Sequence, residues 1–470
     1  LVQRRQKKAF YWARYLTLLE LASEIPITLK LINNIDESAP RASIDTNFVI
    51  DLGNSRTCGI LLEKQGVKHS NIRDAAPFTL RNLSQPTADG SELIDSRAEL
   101  CRADFGFDDI AIKSGRKSAF VWPSPVRLGS EALSLQRQRT HGQGPSGLSS
   151  SKRYLWDRRP APILWEFNNQ KSSGYNPIEE LVRLYVLEDG TFNKESMPPL
   201  SQNTFSRSSF MMFMIAELIT QALMQINNPQ DRLLRLHPGL PRRLSKIIFT
   251  IPTATPAFEQ NILRKRAEDA LEFVWSVLEI PPNFSTYKKP ELVIQWDEAS
   301  SSQQVFLYNE IGERFKGKAE EYLERFGTTR IVENQDRPTV RIASIDIGGG
   351  TTDLMIITYA AEQKNVIHPY QEFRESFRVA GDDLLKSIIE TKVLPAIENS
   401  LIEAGGSDVR QIIASYFQKN DQELTAEKSY LANSYLKSVA IDILKGFEGN
   451  SNSDGGLNYV SAGAEPDNEA

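Results

Sequence analysis

Ser344-Ile345-Asp346-Ile347-Gly348-Gly349-Gly350-Thr351-Thr352-Asp353 is an apolar strand end, an aspartate and a small-residue turn, and Leu354–Tyr359 returns as a second apolar run. An earlier stretch repeats the device: Val49-Ile50-Asp51-Leu52-Gly53-Asn54-Ser55-Arg56-Thr57, followed by Ile60-Leu61-Leu62. With one offset of 295 (346 − 51) and no gap, Asp51 falls on Asp346, Gly53 on Gly348 and Thr57 on Thr352. Each copy reads as a hairpin. Glycine permits the tight turn and a close approach of ligand to backbone. Successive N–H groups in such a turn form an anion-binding concavity, to which Ser55, Thr57, Thr351 and Thr352 add hydroxyls. Asp51 and Asp346 suit Mg²⁺ held through its water shell. A lone hairpin of this kind is only a turn. Two in register predict related half-domains that clamp one polyphosphate between them. The rival P-loop reading fails, because Ser114-Gly115-Arg116-Lys117-Ser118 lacks the Gly-Lys dipeptide.

Around these hairpins the composition is that of a folded protein. The chain has 470 residues, 40 % apolar and 24 % charged, which excludes a disordered, collagen-like or disulfide-scaffold chain. A net charge of −5 gives no global signal for nucleic acid. Cys58 and Cys101 cannot build a disulfide framework, so a reducing, cytoplasmic setting is expected. The most apolar stretch, Phe210–Met224, is interrupted by Glu217, Thr220 and Gln221 and is shorter than the ~20 residues a bilayer needs. It predicts a buried helix, and no transmembrane segment is expected. Arg4, Arg5, Lys7 and Lys8 precede Ala9–Ala22, where Arg14 and Glu20 favour an amphipathic helix over a signal peptide.

The rest of the chain alternates strand and helix signals. Strands are predicted at Lys246–Ile251 and Leu292–Trp296. Helices are predicted at Phe205–Ile226, Pro256–Leu278 and near Ser301–Leu323, and they dominate from Asp382 to Phe447. Residues 75–150 read as loop-rich, and the last 20 residues as a loop or frayed end. Residues 134–159 carry six bases against Asp157 alone, a solvated face unless they flank a phosphate.

These motifs resemble the actin/Hsp70/hexokinase-type ATPase superfamily. Ile50–Ser55 is similar to its first phosphate motif and Ile345–Asp353 to its second. Ser151-Lys152-Arg153-Tyr154-Leu155 resembles the segment with the catalytic lysine. Phe249-Thr250-Ile251-Pro252 resembles the first lobe's strand–Pro–helix. Trp296-Asp297-Glu298-Ala299 resembles the connecting acidic segment, and Arg378–Leu384 the turn containing Gly381. More narrowly, the long insertions and Lys152–Asp157 resemble the bacterial SrfB family of virulence factors.

The resemblance implies an α/β, two-lobed actin/Hsp70-like fold with ribonuclease H-like lobes on mixed sheets. It divides the chain into a helical extension (1–43), a first lobe (44–337, with an insertion at about 76–204) and an incomplete second lobe (338–470). It implies ATP or ADP with Mg²⁺. Lys152, Glu298 and Asp346 would be catalytic. Gly53, Asn54, Ser55, Arg56, Gly348, Gly349, Gly350, Thr351, Thr352 and Gly381 would bind nucleotide. Asp51, Asp346 and Asp353 would hold the metal. The reaction would be in-line attack of water on the γ-phosphate. Two other readings stay open: an interaction module with little turnover, suggested by Asn54 and Ala299-Ser300-Ser301 standing where the family has other residues, and a small-molecule kinase. Protein partners are expected without identity. Ala404-Gly405-Gly406-Ser407 has the letters of an adenosine motif but reads as a helix end. The adenosine motif is therefore expected near or beyond residue 470, and the second sheet is expected to leave an exposed edge or apolar face.

Overall fold

Thr46, Phe48, Ile50 and Leu52 alternate inward along β1 (Ile44–Leu52), the period-two pattern of a strand with one face on the core. The computed structural model describes residues 12–13, 15–20, 23, 43–64, 75–85, 88, 90–101, 103, 122–139, 144–161, 164–168, 180–193, 202–253, 255–278, 280, 288–363, 366–377, 379–417 and 436–448. Parts of the predicted N-terminal helix lie outside them, as do the P-loop-like Ser114–Ser118 and the last 20 residues. β1 turns through residues 53–55 into β2 (Arg56–Glu63), antiparallel, with Asp51 opposite Cys58. Short strands follow: β3 (Ala75–Pro77), β4 (Ile94–Asp95), β5 (Arg97–Leu100), β6 (Val126–Leu128) and β7 (Gly147–Ser149). β8 (Arg242–Ile251) and β9 (Glu291–Asp297) complete a mixed sheet of order β3-β2-β1-β8-β9, with β4 also on β2. β1 and β8 are parallel, as are β8 and β9.

Within the region expected to be loop-rich, the described strands β5 and β6 are built into the core. β6-β5-β7 form a second, three-stranded sheet. Ala98, Leu100, Val126 and Leu128 share one apolar cluster with Phe48, Ile50 and Phe249 of the main sheet. Its period is hidden because these strands are three or four residues long. Helix α1 (Ser209–Asn227) is buried almost all round in the same cluster, beside α2 (Ala257–Val277). Full burial of each Phe or Leu contributes about 1.5–3 kcal/mol. Among the described residues α1 is the one helix long and apolar enough to cross a membrane, and 89 % of its apolar window is buried inside the protein.

α3 (Glu298–Leu307) continues into a π-helical stretch, Tyr308–Arg314, and α4 (Ala319–Phe326) follows. The single helix predicted near Ser301–Leu323 is thus broken, with Gly317 at φ +80°. β10 (Thr328–Val332), β11 (Gln335–Ile347), β12 (Thr352–Gln363) and β13 (Val366–Phe377) form a four-stranded sheet in chain order. Met355, Ile357 and Tyr359 of β12 pack with Leu307, Tyr322 and Leu323. Ile345 and Ile347, on the other face of β11, are 67 % and 69 % exposed.

The chain divides into two compact units: residues 1–136, 145–346 and 353–376 in the first, and 137–144, 347–352 and 377–470 in the second. Within the first unit the β12 core closes on α3 and α4. The second unit holds α5 (Gly381–Ile388), α6 (Leu394–Glu403), α7 (Val409–Phe417) and α8 (Lys437–Glu448), with Ile388, Val393, Leu436 and Ala440 at its core.

Candidate functional site

Three parallel strands of the first unit end together. Register pairs Asp51 of β1 with Thr250 of β8, and Ile251 of β8 with Asp297 of β9. The carboxyl edge of such strands is where α/β sheets take ligands. Thr250 Oγ1 donates to Asp51 Oδ1 at 3.1 Å. Asp297 caps α3, its Oδ1 accepting from Ser300 N at 2.8 Å, and this places Glu298 on the first turn.

Lys152 reaches this edge from the three-stranded sheet. It sits in a 3₁₀ turn, Ser151–Tyr154, entered through Ser150 at φ +56°. Ser96 fastens that turn to the first hairpin. Ser150 N donates to Ser96 O, Ser96 N to Ser55 O at 2.9 Å, and Ser96 Oγ to Gly53 O at 2.7 Å. Since the Ser96 hydroxyl proton is on Gly53 O, Thr57 Oγ1 is the donor in the 3.0 Å Thr57–Ser96 bond. Thr57 is buried in this bond, so its hydroxyl is not the ligand donor expected from sequence. A Cβ on Gly53 would lie 2.2 Å from Arg56 O, which only glycine avoids. Ser96 lies in the stretch without periodicity, and no sequence signal singled it out.

Lys152 Nζ donates to Glu298 Oε1 at 3.0 Å, both side chains mostly shielded from solvent. Burial pushes the Glu298 carboxyl up to about 7. Lys152 opposes this, and the negative charges of Asp51 and Asp346 add to it. Asp346, near the end of β11, is raised by burial and then by Asp353 and Asp51. Asp353 is buried on β12. The structure therefore brings Asp51, Lys152, Glu298, Asp346 and Asp353 into one electrostatic neighbourhood within the first unit. Asn54 Oδ1, Ser151 Oγ and Thr253 Oγ1, each beside this edge in sequence, are buried with no hydrogen-bond partner. Among the described residues no three His, Cys, Asp or Glu side chains group closely enough to hold a metal directly.

In the second unit, Gly348 N donates to Thr351 O at 2.8 Å, and the amides of Gly381 and Asp382 donate to Gly348 O and Gly349 O. The turn 348–352 is thereby tied to the start of α5. Thr352 Oγ1 donates to Val379 O at 2.6 Å, which gives its proton to the protein rather than to a ligand. Gly405 (φ +84°) and Gly406 end α6 with bonds to Ile402 O and Leu401 O, the αL helix end read from the sequence.

A family model described as "Virulence factor SrfB" matches residues 1–457. No curated protein matches the chain. Among solved structures, a non-polymerising point mutant of MamK bound to AMPPNP is 12 % identical, with 81 % of this chain and 68 % of that one covered at a TM-score of 0.23. At that score the two backbones do not superpose as wholes.

Proposed function

We propose that this chain, which belongs to the virulence factor SrfB family, binds ATP or ADP with Mg²⁺ in the manner of the two-lobed actin/Hsp70-like ATPases. The observation that carries the reading is the shielded Lys152–Glu298 pair beside Asp51 and Asp346, at the carboxyl edge of parallel strands. Crowded carboxylates that raise one another's affinity for protons are a place where a cation is favourable. Asp51, Asp346 and Asp353 would hold Mg²⁺ through water, and the partnerless Asn54 Oδ1 is an acceptor for such a water. Bound there, the ion would neutralise phosphate charge. Lys152 would offset the negative charge of the terminal phosphate. Glu298, titrating near neutrality, is matched to taking a proton from an attacking water. Gly53, Ser55 and Arg56 would supply phosphate donors. A cytoplasmic setting belongs to the same proposal.

Calorimetric titration with ATP, with and without Mg²⁺, tests it. Binding that depends on Mg²⁺ is expected, and Asp346→Asn should weaken the Mg²⁺-linked part more than Lys152→Ala does. No heat at millimolar nucleotide would overturn it. An interaction module with little turnover is the second reading. It is favoured by Lys152 being engaged with Glu298, and by the Thr57 and Thr352 protons being given to Ser96 and Val379. Phosphate release with no added acceptor separates the two.

A further inference from the structure

Gln303 is a polar residue in an apolar seam. Ala299, Gln303 and Leu307 fall at i, i+4 and i+8 on α3, and all three are buried. Ala299 and Leu307 pack with Met355, Ile357 and Tyr359 of β12. An apolar side chain would fill the middle of that seam, whereas a buried amide is costly unless its groups are bonded. This amide is bonded on both sides. Gln303 Nε2 donates to Ser344 Oγ at 2.8 Å and to Met355 O at 3.3 Å, with Ile342 O at 3.5 Å. Tyr359 Oη donates to Gln303 Oε1 at 3.0 Å. Chemistry fixes this orientation. Carbonyl oxygens only accept, so the amide nitrogen must face them, and the amide oxygen is left for the phenol. Burial, and then the charge of Asp297, push the Tyr359 hydroxyl up to about 12, so it keeps the proton that the bond needs.

The partners' positions tie this network to the site. Ser344 stands two residues before Asp346 on β11, and Met355 two residues after Asp353 on β12. Residues two apart share a strand face. Gln303 lies on the helix that begins with Glu298. One amide thus joins the helix carrying Glu298 to both strands carrying Asp346 and Asp353, all within the first unit. We propose that Gln303 is a positioning residue: its amide sets the register of α3 against β11 and β12, and with it the separation of Glu298 from Asp346 and Asp353. Apolar contacts are non-directional and tolerate a slide along the seam. Hydrogen bonds in several fixed directions do not. Fixing a register is the best-attested use of a single buried polar side chain in an apolar seam. Buried beneath the edge, Gln303 acts through α3 rather than on a ligand. This role rests on the Mg²⁺-nucleotide reading of the edge, where the spacing of the carboxylates sets where a hydrated cation can sit.

The double variant Gln303→Leu/Tyr359→Phe, made in the whole chain, tests the proposal. It removes both ends of the amide–phenol bond together and nearly keeps the volumes, so the fold should persist with melting little changed. Carboxyl NMR without nucleotide should then show the Glu298 midpoint lowered by about half a pH unit or more, as the freed start of α3 takes up water. Calorimetry should show the Mg²⁺-linked part of ATP affinity weakened about 10-fold, the scale on which groups that orient metal ligands act. Val305→Ala, at an exposed position of the same helix, should move neither reading. A folded double variant with the Glu298 midpoint and the Mg²⁺ dependence unmoved would overturn the proposal and leave Gln303 a core hydrogen bond only. If the double variant fails to fold, Tyr359→Phe alone decides. It loses one bond and keeps those from Nε2, so both readings should move the same way by a smaller amount, and no movement would overturn the proposal. If even the unaltered chain binds no ATP, the nucleotide reading falls by itself. The Glu298 midpoint, measured without nucleotide, still decides on Gln303.

Discussion

Glu298 is where the site can be tested one residue at a time. Burial lifts its carboxyl from 4.5 to about 7, with Asp51 and Asp346 pushing the same way and Lys152 against. Over that interval the folded chain keeps a proton that the unfolded chain has released. Its contribution to stability is therefore complete below pH 4.5 and is lost as pH rises through about 7. The effect is at most on the order of 3 kcal/mol. Urea unfolding as a function of pH should show that decline, and Glu298→Gln should flatten it. The neighbours are expected to act in opposite directions. Lys152→Ala removes the opposing charge and should raise the Glu298 midpoint. Asp346→Asn removes a pushing charge and should lower it. Carboxyl titration by NMR reads both shifts, and movement of the two in the same direction would refute the shared neighbourhood. Asp51, Lys152, Glu298 and Asp346 were legible as candidates from motif order. Thr250, Ser96 and Ser151 were not, because a hydroxyl's role depends on which backbone group the fold brings beside it.

Elements hold the site through their ends. Asp297 gives α3 its N-cap, and losing such a cap costs about 1 kcal/mol. Asp297→Ala should therefore lower stability by about that amount and loosen the Lys152–Glu298 pair, seen as a downfield or upfield change at the Glu298 carboxyl without unfolding. The sequence reading began this helix three residues late, at Ser301. The cap signal was present in Asp297, but the strand before it runs straight into the helix with no turn residue between. At the first hairpin, Gly53→Ala drives a Cβ onto Arg56 O. Such crowding should cost about 1–3 kcal/mol, read from the denaturation midpoint, with Gly239→Ala, where an added Cβ meets nothing within 4 Å, as a control. Both hairpins were legible because each is an apolar alternation flanking small residues. The short strands β4 to β7 were not, since two to four residues carry no measurable period.

At the scale of the molecule, buried charge decides which way the apolar elements face. Glu217 lies in the middle of α1, its Oε1 accepting from Arg127 Nη1 at 3.0 Å and from Gln221, and its Oε2 from Trp122 Nε1 at 2.7 Å. Arg127 and Glu217 are both buried. This network is why a span-like helix belongs inside the protein. Breaking a buried pair from one side costs about 3–5 kcal/mol. Glu217→Ala should accordingly cut the unfolding free energy by that order, while an exposed change such as Leu234→Ser should leave it nearly unmoved. Chemical denaturation of the two variants side by side makes the comparison. At the amino-side end of the sheet, Glu63 with Arg242 and Arg235 forms a second such network.

What the sequence determined by itself was local: two Asp-x-Gly hairpins in register, a mixed α/β character, a core helix betrayed by one glutamate, and a glycine helix end at residues 405–406. Within each hairpin, helix or helix end, side-chain period and backbone freedom act directly over neighbouring residues. Only tertiary structure decided that Ser96 straps the first turn to Lys152, that Lys152 meets Glu298 at a sequence separation of 146, and that the apolar side of the N-terminal helix faces out. The reason is that burial and Coulomb interaction depend on distance in space. A chain's hydrophobic pattern names which face is apolar, but the neighbour that covers it, or leaves it bare, is chosen by packing from elsewhere in the fold.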